Sequence, residues 1–409
     1  MLTPTTVADQ LAAARDDRLR VLVVGAGVAG LTLAQLLRAQ GLHPVLIERS
    51  APDADEGYML ALMPLVDPVL RWLDVEREYV AHSTPTPRYR LHDRTGRAVR
   101  EYSLGELLAE FGDYRGIERG ELLQVISSGG APVTFGCTVE AIEQEAGTAR
   151  VRLADGASHV QAEFDAVVAA DGLHSTTRRL VLRPDQIATY DTGWGGWVAW
   201  MDPDAELDLG AELWGAGFFV GTYPVKDRIG VFVGGARADT AAGPGRFVAR
   251  VRDELRTVDD RFDRAPSAVA ASDDAYYWSL VDYRAASWSV GRVVLLGDAA
   301  AGFLPTAGVG AAMAMESAGA LAERLGRATP AAVPQALAAY ERAQRPRVES
   351  AQGNSRALAR LVFHRSRAFA VVRDVAARFV TLKAALRPIR KLLEQQPPLT
   401  APRHLIRER

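Results

Sequence analysis

Arg20–Ser50 reads RVLVVGAGVAGLTLAQLLRAQGLHPVLIERS. Four apolar residues, Val21–Val24, lead directly into Gly25-x-Gly27-x-x-Gly30. Helix-compatible residues follow to about Gln40, and a second apolar run, Val45–Ile47, ends in Glu48. A continuous apolar run suits a parallel strand covered on both faces. Glycines at this spacing serve a tight turn, close backbone approach to a pyrophosphate and close helix–strand packing, with the phosphate at the helix N-terminus. Glu48, 18 residues beyond Gly30, stands where a carboxylate accepts from ribose hydroxyls, and its charge repels a ribose 2′-phosphate. Strand, glycine turn, helix and acid in this order predict a Rossmann-like dinucleotide site formed by Gly25, Ala26, Gly27, Val28, Ala29, Gly30, Glu48 and Arg49. This stretch alone does not separate NAD from FAD.

The rest of the chain bounds what surrounds that site. Its 409 residues exceed what one core usually serves, which predicts two lobes. Composition is that of a folded soluble protein, 48% hydrophobic and 24% charged, and a net charge of −2 argues against a nucleic-acid partner. Cys137 is the only cysteine, so an intramolecular disulfide and a thiolate metal site are excluded, and the seven scattered histidines predict no metal centre. Val21–Leu37 carries no charge, but its glycines read as a buried strand–turn–helix rather than a membrane span. The N-terminus lacks the apolar segment of a secretory signal, and a cytoplasmic location is expected.

Val293–Leu325, VVLLGDAAAGFLPTAGVGAAMAMESAGALAERL, discriminates between the two cofactors. An aspartate at the end of a buried strand is costly unless something binds it. NAD dehydrogenases have no general need for a second glycine-rich turn about 270 residues after the first. FAD is longer, and Asp298 can accept from a ribityl hydroxyl. Gly308, Gly310 and Ala311 then let backbone N–H groups approach the flavin ring at a helix N-terminus, which stabilises negative charge on reduction.

Three motifs in this order make the chain resemble the group A flavoprotein monooxygenases, the aromatic hydroxylases of the para-hydroxybenzoate hydroxylase fold, over roughly residues 20–345. They are Gly25–Gly30, then DAVVAADGLHSTTRRLV with Asp171-Gly172 and Arg178, then LLGDAAAGFLPTAGVG with Gly297-Asp298. The resemblance implies non-covalent FAD, with Arg119 of IERGELLQVI near the phosphates or ribityl chain and the backbone of Val139 on the adenine side. It implies NADH or NADPH as a transient co-substrate, since no second GxGxxG exists, and delivery of one oxygen atom of O2 from C4a of the flavin to an aromatic or polycyclic substrate of secondary metabolism. The chain departs from the family at Ala301, where a histidine is frequent, and at Ala312, where many hydroxylases have asparagine. No catalytic base is identified, and His174 reads as structural or solvent-facing. A flavin-dependent halogenase, a flavin dehydrogenase or reductase and a non-catalytic flavin-binding protein stay open as alternatives. Against the halogenase, no lysine precedes Lys226 and the Trp-x-Trp-x-Ile-Pro signature is missing.

The expected fold class is α/β: a Rossmann-like FAD-binding lobe interleaved with an antiparallel-sheet substrate lobe, plus C-terminal helices. The first lobe is read over 1–85, 105–186 and 291–350. It includes a strand meander in Thr134–Phe164, with turns at Ala146-Gly147 and Asp155-Gly156. The second is read over 187–290 with 86–104, and 351–409 forms a tail. Sixteen of the thirty aromatic residues lie between Tyr190 and Trp288. Trp194, Trp197, Trp200, Phe219, Tyr223 and Tyr277 are read as an apolar pocket for a flat substrate. From Tyr340 to Arg409 there are 16 Lys and Arg against 5 Asp and Glu. An apolar stripe runs from Leu358 through Val362, Phe369, Val372, Val375, Phe379 and Leu382 to Leu386, to be broken at Pro388. It reads as a helix docked over the flavin lobe; the second reading is a basic amphipathic surface on anionic lipid.

Overall fold

The computed structural model describes residues 1–52, 57–145, 147–156, 158–257, 259–272 and 275–399. The apolar runs form the middle of a seven-stranded sheet, in spatial order Leu2–Pro4, Ala131–Phe135, Val45–Glu48, Val21–Val24, Ala166–Ala169, Val293–Leu295 and Ser289–Val290. Every neighbouring pair is parallel except the last. Alternate residues of the central strands serve different cores. Val21, Val23 and Val168 pack with the helices Val28–Arg38 and Gly310–Leu325, while Leu22, Val24 and Val167 pack under the meander Cys137–Gln144, Ala149–Asp155 and Ser158–Phe164. Both faces are covered, which is why Val21–Val24, Ala166–Ala169 and Val293–Leu295 carry no polar residue. Gly156 makes the second meander turn at φ +60°, and the expected first turn includes Ala146, which lies outside the described residues.

A second seven-stranded sheet runs Tyr276–Ala285, Ile187–Met201, Arg228–Ala236, Phe218–Val225, Leu209–Trp214, Arg88–His92, Ala98–Ser103. It is antiparallel apart from the parallel pairing of Leu209–Trp214 with Arg88–His92. One face packs Trp197, Phe218, Val231 and Val233 against Phe247 and Phe262 of the helices Pro244–Glu254 and Asp260–Ala271. The other face, with Val198, Phe219 and Phe232, looks towards the tail and the first lobe. A small sheet of Met59–Leu62, Arg115–Glu118 and Thr84–Pro85, not anticipated from sequence, sits at the junction of the lobes. Its Gly116 packs so tightly that a Cβ there would fall 1.9 Å from the carbonyl oxygen of Pro224. The α/β class with two interleaved lobes and C-terminal helices is as expected.

The tail differs from its expected form. A 30-residue helix, Val333–Val362, takes up Leu358 and Val362, then the chain breaks and resumes as Arg367–Ala377, Leu382–Ala385 and Arg387–Glu394. Pro388 does not end the stripe. It occupies the first turn of the last helix, where a missing N–H costs nothing.

Candidate active site

The glycine loop is built by steric exclusion. Gly25 adopts φ +101°, and a Cβ there would lie 2.6 Å from the carbonyl oxygen of Ala170. A Cβ on Gly30 would lie 2.0 Å from the carbonyl oxygen of Gly25. Gly27, by contrast, faces open space, with Arg119 Nη2 3.8 Å from the position of its missing Cβ, and it caps the helix Val28–Arg38 without a side chain. Two glycines therefore shape the turn, and the third leaves a cradle at a helix N-terminus with a guanidinium across it. Glu48 closes the back: Oε2 accepts from the Ala26 N–H at 2.9 Å and Oε1 from the Ser50 N–H at 2.9 Å.

The second and third motifs meet on this loop. The Asp171 carboxylate accepts from the N–H groups of Thr176 (2.9 Å) and Thr177 (3.0 Å) and caps the short helix Thr177–Val181. Arg178 is buried and donates to the carbonyls of Leu173 (2.9 Å), Ala299 (2.9 Å) and Asp298 (3.4 Å), while its guanidinium lies 5.2 Å from the Tyr283 ring centroid. It fastens the two turns together. Gly297, at φ +61°, seats the third motif on the glycine-loop helix, because a Cβ there would be 2.8 Å from the Ala29 Cβ. Asp298 follows, half-buried, and burial pushes its carboxyl up to about 6 against the pull of Arg178. Gly308, at φ +58°, turns the chain into the helix that starts at Gly310, with Tyr114 Oη 3.5 Å from where its Cβ would be.

These pieces surround one cavity of about 1630 Å³. Pockets for a single drug-sized ligand span roughly 300–1,000 Å³, so the space suits two occupants. Gly27, Val28, Ala29, Arg119, Asp298, Gly310 and Ala311 line it on one side. Gly25, Ala26, Gly30 and Glu48 stand directly behind that wall. Arg49 is exposed and Val139 is buried in the meander, and neither lines it. On the other side are Trp200, Phe219, Tyr223 and the edge of Tyr277. Trp194 and Trp197 are not on the wall. Trp194 stacks on Phe363, with centroids 4.9 Å apart, and Trp197 points to the opposite face of the sheet, against Phe247. The Tyr277 ring turns towards that same far face, edge-on to Trp197, and its hydroxyl meets Thr240 Oγ1 at 2.8 Å.

A family model described as an FAD binding domain matches residues 18–355. The chain belongs to the FAD-dependent monooxygenases of the aromatic hydroxylase family. Among the relatives of this flavin monooxygenase, 3-amino-4-hydroxybenzoate 2-monooxygenase of Streptomyces cremeus is 30% identical over 365 residues, 84% of this chain and 88% of the relative. The 2-heptyl-3-hydroxy-4(1H)-quinolone synthase of Pseudomonas aeruginosa is 30% identical over 319 residues, 74% of this chain and 79% of the relative. The crystal structure of Klebsiella pneumoniae HpxO complexed with FAD and uric acid shares the fold, with a TM-score of 0.81 at 23% identity over 93% of this chain and 97% of that one.

The two departures from the hydroxylase pattern are core positions in this monooxygenase: Ala301 is 1% exposed and Ala312 fully buried. Sequence reasoning missed much of the second wall. Tyr58, Tyr89, Glu212 and Trp214 line the cavity, as do Arg228, paired with Glu118 and 3.8 Å from the Trp200 ring centroid, and the tail residues Leu361, Arg373 and Val380. Glu212 and Trp214 alternate on one strand, a period-2 signal that was available; the tail's arrival depends on long-range packing and left none.

Proposed function

We propose that this monooxygenase inserts one oxygen atom of O2 into a flat aromatic or polycyclic substrate held between the aromatic wall and a non-covalently bound FAD, with NADH or NADPH as transient reductant. The observation that carries the reading is the single cavity, with the dinucleotide loop, Arg119 and Asp298 on one side and Trp200, Phe219, Tyr223 and Trp278 on the other. The residues present fit FAD. Gly27–Ala29 with Arg119 would take the diphosphate, Glu48 a ribose, Asp298 the ribityl chain, and Gly308–Ala311 the ring. When bound, FAD supplies the redox chemistry, accepting a hydride and activating O2.

The chain's own groups hold the site in place and line the cavity. Arg178 holds the Asp298 turn rigid, and the helix that begins at Gly310 directs its positive end at the ring position. Leu361, Val380, Leu386 and Ile389 of the tail line the cavity with apolar side chains. Cys137 is buried in the meander with its thiol pushed up to about 12 by burial and Asp155, and it does not line the cavity, which supports non-covalent FAD. No lysine lines the cavity among the described residues. Lys226 donates to the Ala81 carbonyl at the surface, which speaks against the halogenase reading. The test is NAD(P)H consumption under O2 against a panel of polycyclic phenols, quinones and heteroaromatics: substrate-dependent oxidation supports the reading, and chloride- or bromide-dependent product overturns it.

A peripheral membrane contact is the second reading for the tail. Val371, Val372, Val375 and Phe379 are exposed on the face of Arg367–Ala377 and the turn after it, Val372 at 67% and Phe379 at 79%, while Arg373, Ala376 and Ala377 of the same helix line the cavity. Residues 360–391 hold nine Lys and Arg against one acid; Asp374 and its partner Arg373 are both buried, which leaves eight cations outside the interior. An apolar face rimmed by cations suits anionic lipid. Among the described residues no helix is long and apolar enough to cross a membrane. Co-sedimentation with anionic vesicles at low salt, lost at high salt and in Phe379→Glu, supports this reading; no co-sedimentation leaves the tail as a cavity wall alone.

A further inference from the structure

Two acids lie on the aromatic side of the cavity among the described residues: Glu118, paired with Arg228, and Glu212, on the strand Leu209–Trp214. The neighbours of Glu212 come from three adjacent strands. Tyr89 Oη donates to Oε2 at 2.6 Å, Trp214 Nε1 donates to the same oxygen at 2.8 Å, and Tyr223 Oη donates to Oε1 at 2.8 Å. All four side chains line the cavity. Among the described residues no cation pairs with this carboxylate, so the three donors stabilise it in an apolar surround where a bare charge would be costly.

The cluster is built for reach. Gly221 stands opposite Glu212 in the strand register, and a Cβ there would lie 2.6 Å from Tyr223 Oη. Only glycine lets the Tyr223 ring cross the strand to Glu212. Burial, and then the charge of Glu212, push both phenols well above their ordinary range, so both hydroxyls stay protonated and donate inwards.

Hydrogen-bond capacity then selects the ligand. A carboxylate offers about four acceptor positions. Three are filled, and the remaining one is on Oε1. With both hydroxyl protons committed to Glu212, each phenol oxygen offers only lone pairs. The group therefore presents acceptors and no donor.

We propose that Glu212, with Tyr89 and Tyr223, is the substrate-recognition site: it takes a flat aromatic bearing an N–H or a phenolic O–H and discriminates against an aromatic carboxylate. This deepens the monooxygenase reading by naming the substrate class, and it is tested by binding rather than turnover. The probes are 4(1H)-quinolone, its N-methyl derivative and quinoline-4-carboxylate, titrated into the FAD-loaded enzyme. Dissociation constants come from quenching of tryptophan fluorescence, to which Trp200, Trp214 and Trp278 on the wall contribute. The wild type should bind the quinolone at least about tenfold more tightly than either other probe. Glu212→Gln should weaken the quinolone by about tenfold to a hundredfold and leave the N-methyl compound within about twofold, whereas a merely structural role would weaken both alike. The wild-type ratios decide the matter even where the variant does not fold. Equal affinities, tighter binding of the carboxylate or no binding of the quinolone overturns the proposal. A selective binder that consumes no NAD(P)H counts against the oxygenation reading alone, and an oxygenase indifferent to the N–H counts against Glu212 alone.

Discussion

If Asp298 holds FAD as proposed, its charge carries opposite costs in the cofactor-free and cofactor-bound states. Its carboxyl is pushed up to about 6 by burial, above the unfolded value of 3.8, so the native protein binds more protons between those values. The contribution of Asp298 to stability of the cofactor-free protein therefore falls as pH rises from about 4 to 6. Asp298→Asn should flatten that slope in urea titrations across the window. In the proposed site a ribityl hydroxyl would donate to the ionised form, so FAD affinity should rise with pH through about 6 in the wild type and lose that dependence in Asp298→Asn. Asp298→Ala should weaken FAD binding by ~1.5–3 kcal/mol, measured by flavin fluorescence on dilution. The glycines separate two roles in the same way. Gly30→Ala places a Cβ 2.0 Å from a backbone oxygen and should destabilise the fold by more than ~3 kcal/mol, while Gly27→Ala leaves its denaturation midpoint unchanged and lowers flavin content. The loop was legible because its glycines obey local geometry. Glu212 was not, since an acid on a strand reads as a solvated residue until two of its three donors, Tyr89 and Tyr223, are brought in from the neighbouring strands.

At the scale of elements, Arg178 links two motifs that sequence shows only as separate turns. Its planar fork reaches the carbonyls of Leu173 and Ala299 together, a geometry that lysine cannot reproduce. Arg178→Lys should cost ~2–4 kcal/mol in chemical denaturation and lower FAD retention, because the Asp298 turn loses its anchor. The tryptophans of GWGGWVAW illustrate where reading by composition fails. On one strand, successive side chains alternate faces, so Trp194 and Trp200 share a face and Trp197, three residues from each, takes the other. Treating the three as one pocket overlooked that period. Trp194 still misses the cavity, for a reason outside its strand: Phe363 of the tail stacks on it.

Across the whole molecule, the helix Val333–Val362 joins the lobes through two buried ion pairs. Arg347 holds Glu316 of the helix Gly310–Leu325 at 2.6 and 2.9 Å, and Arg356 holds Asp282 of the aromatic sheet at 2.6 and 2.9 Å. Glu316 and Asp282 are both fully buried. Removing one partner strands a charge in the interior, so Arg356→Met should destabilise by ~3–5 kcal/mol, read as a lowered thermal midpoint, and deletion of residues 356–409, which also removes the buried Ala359, Val362, Ala370, Leu392 and Leu393, should destabilise by more. The interleaving of the lobes was legible from motif order, since strands that share a Rossmann-like sheet must return to it. The bridging role of the tail was not, because an arginine on a helix looks the same whether its carboxylate lies in solvent or in another lobe. All three scales converge on one chemistry, and turnover in ¹⁸O2 tests it most directly. With FAD, NAD(P)H and a flat donor-bearing aromatic, the product should gain a single ¹⁸O atom, read by mass spectrometry; unlabelled product, or turnover that proceeds equally well without oxygen, would contradict the account.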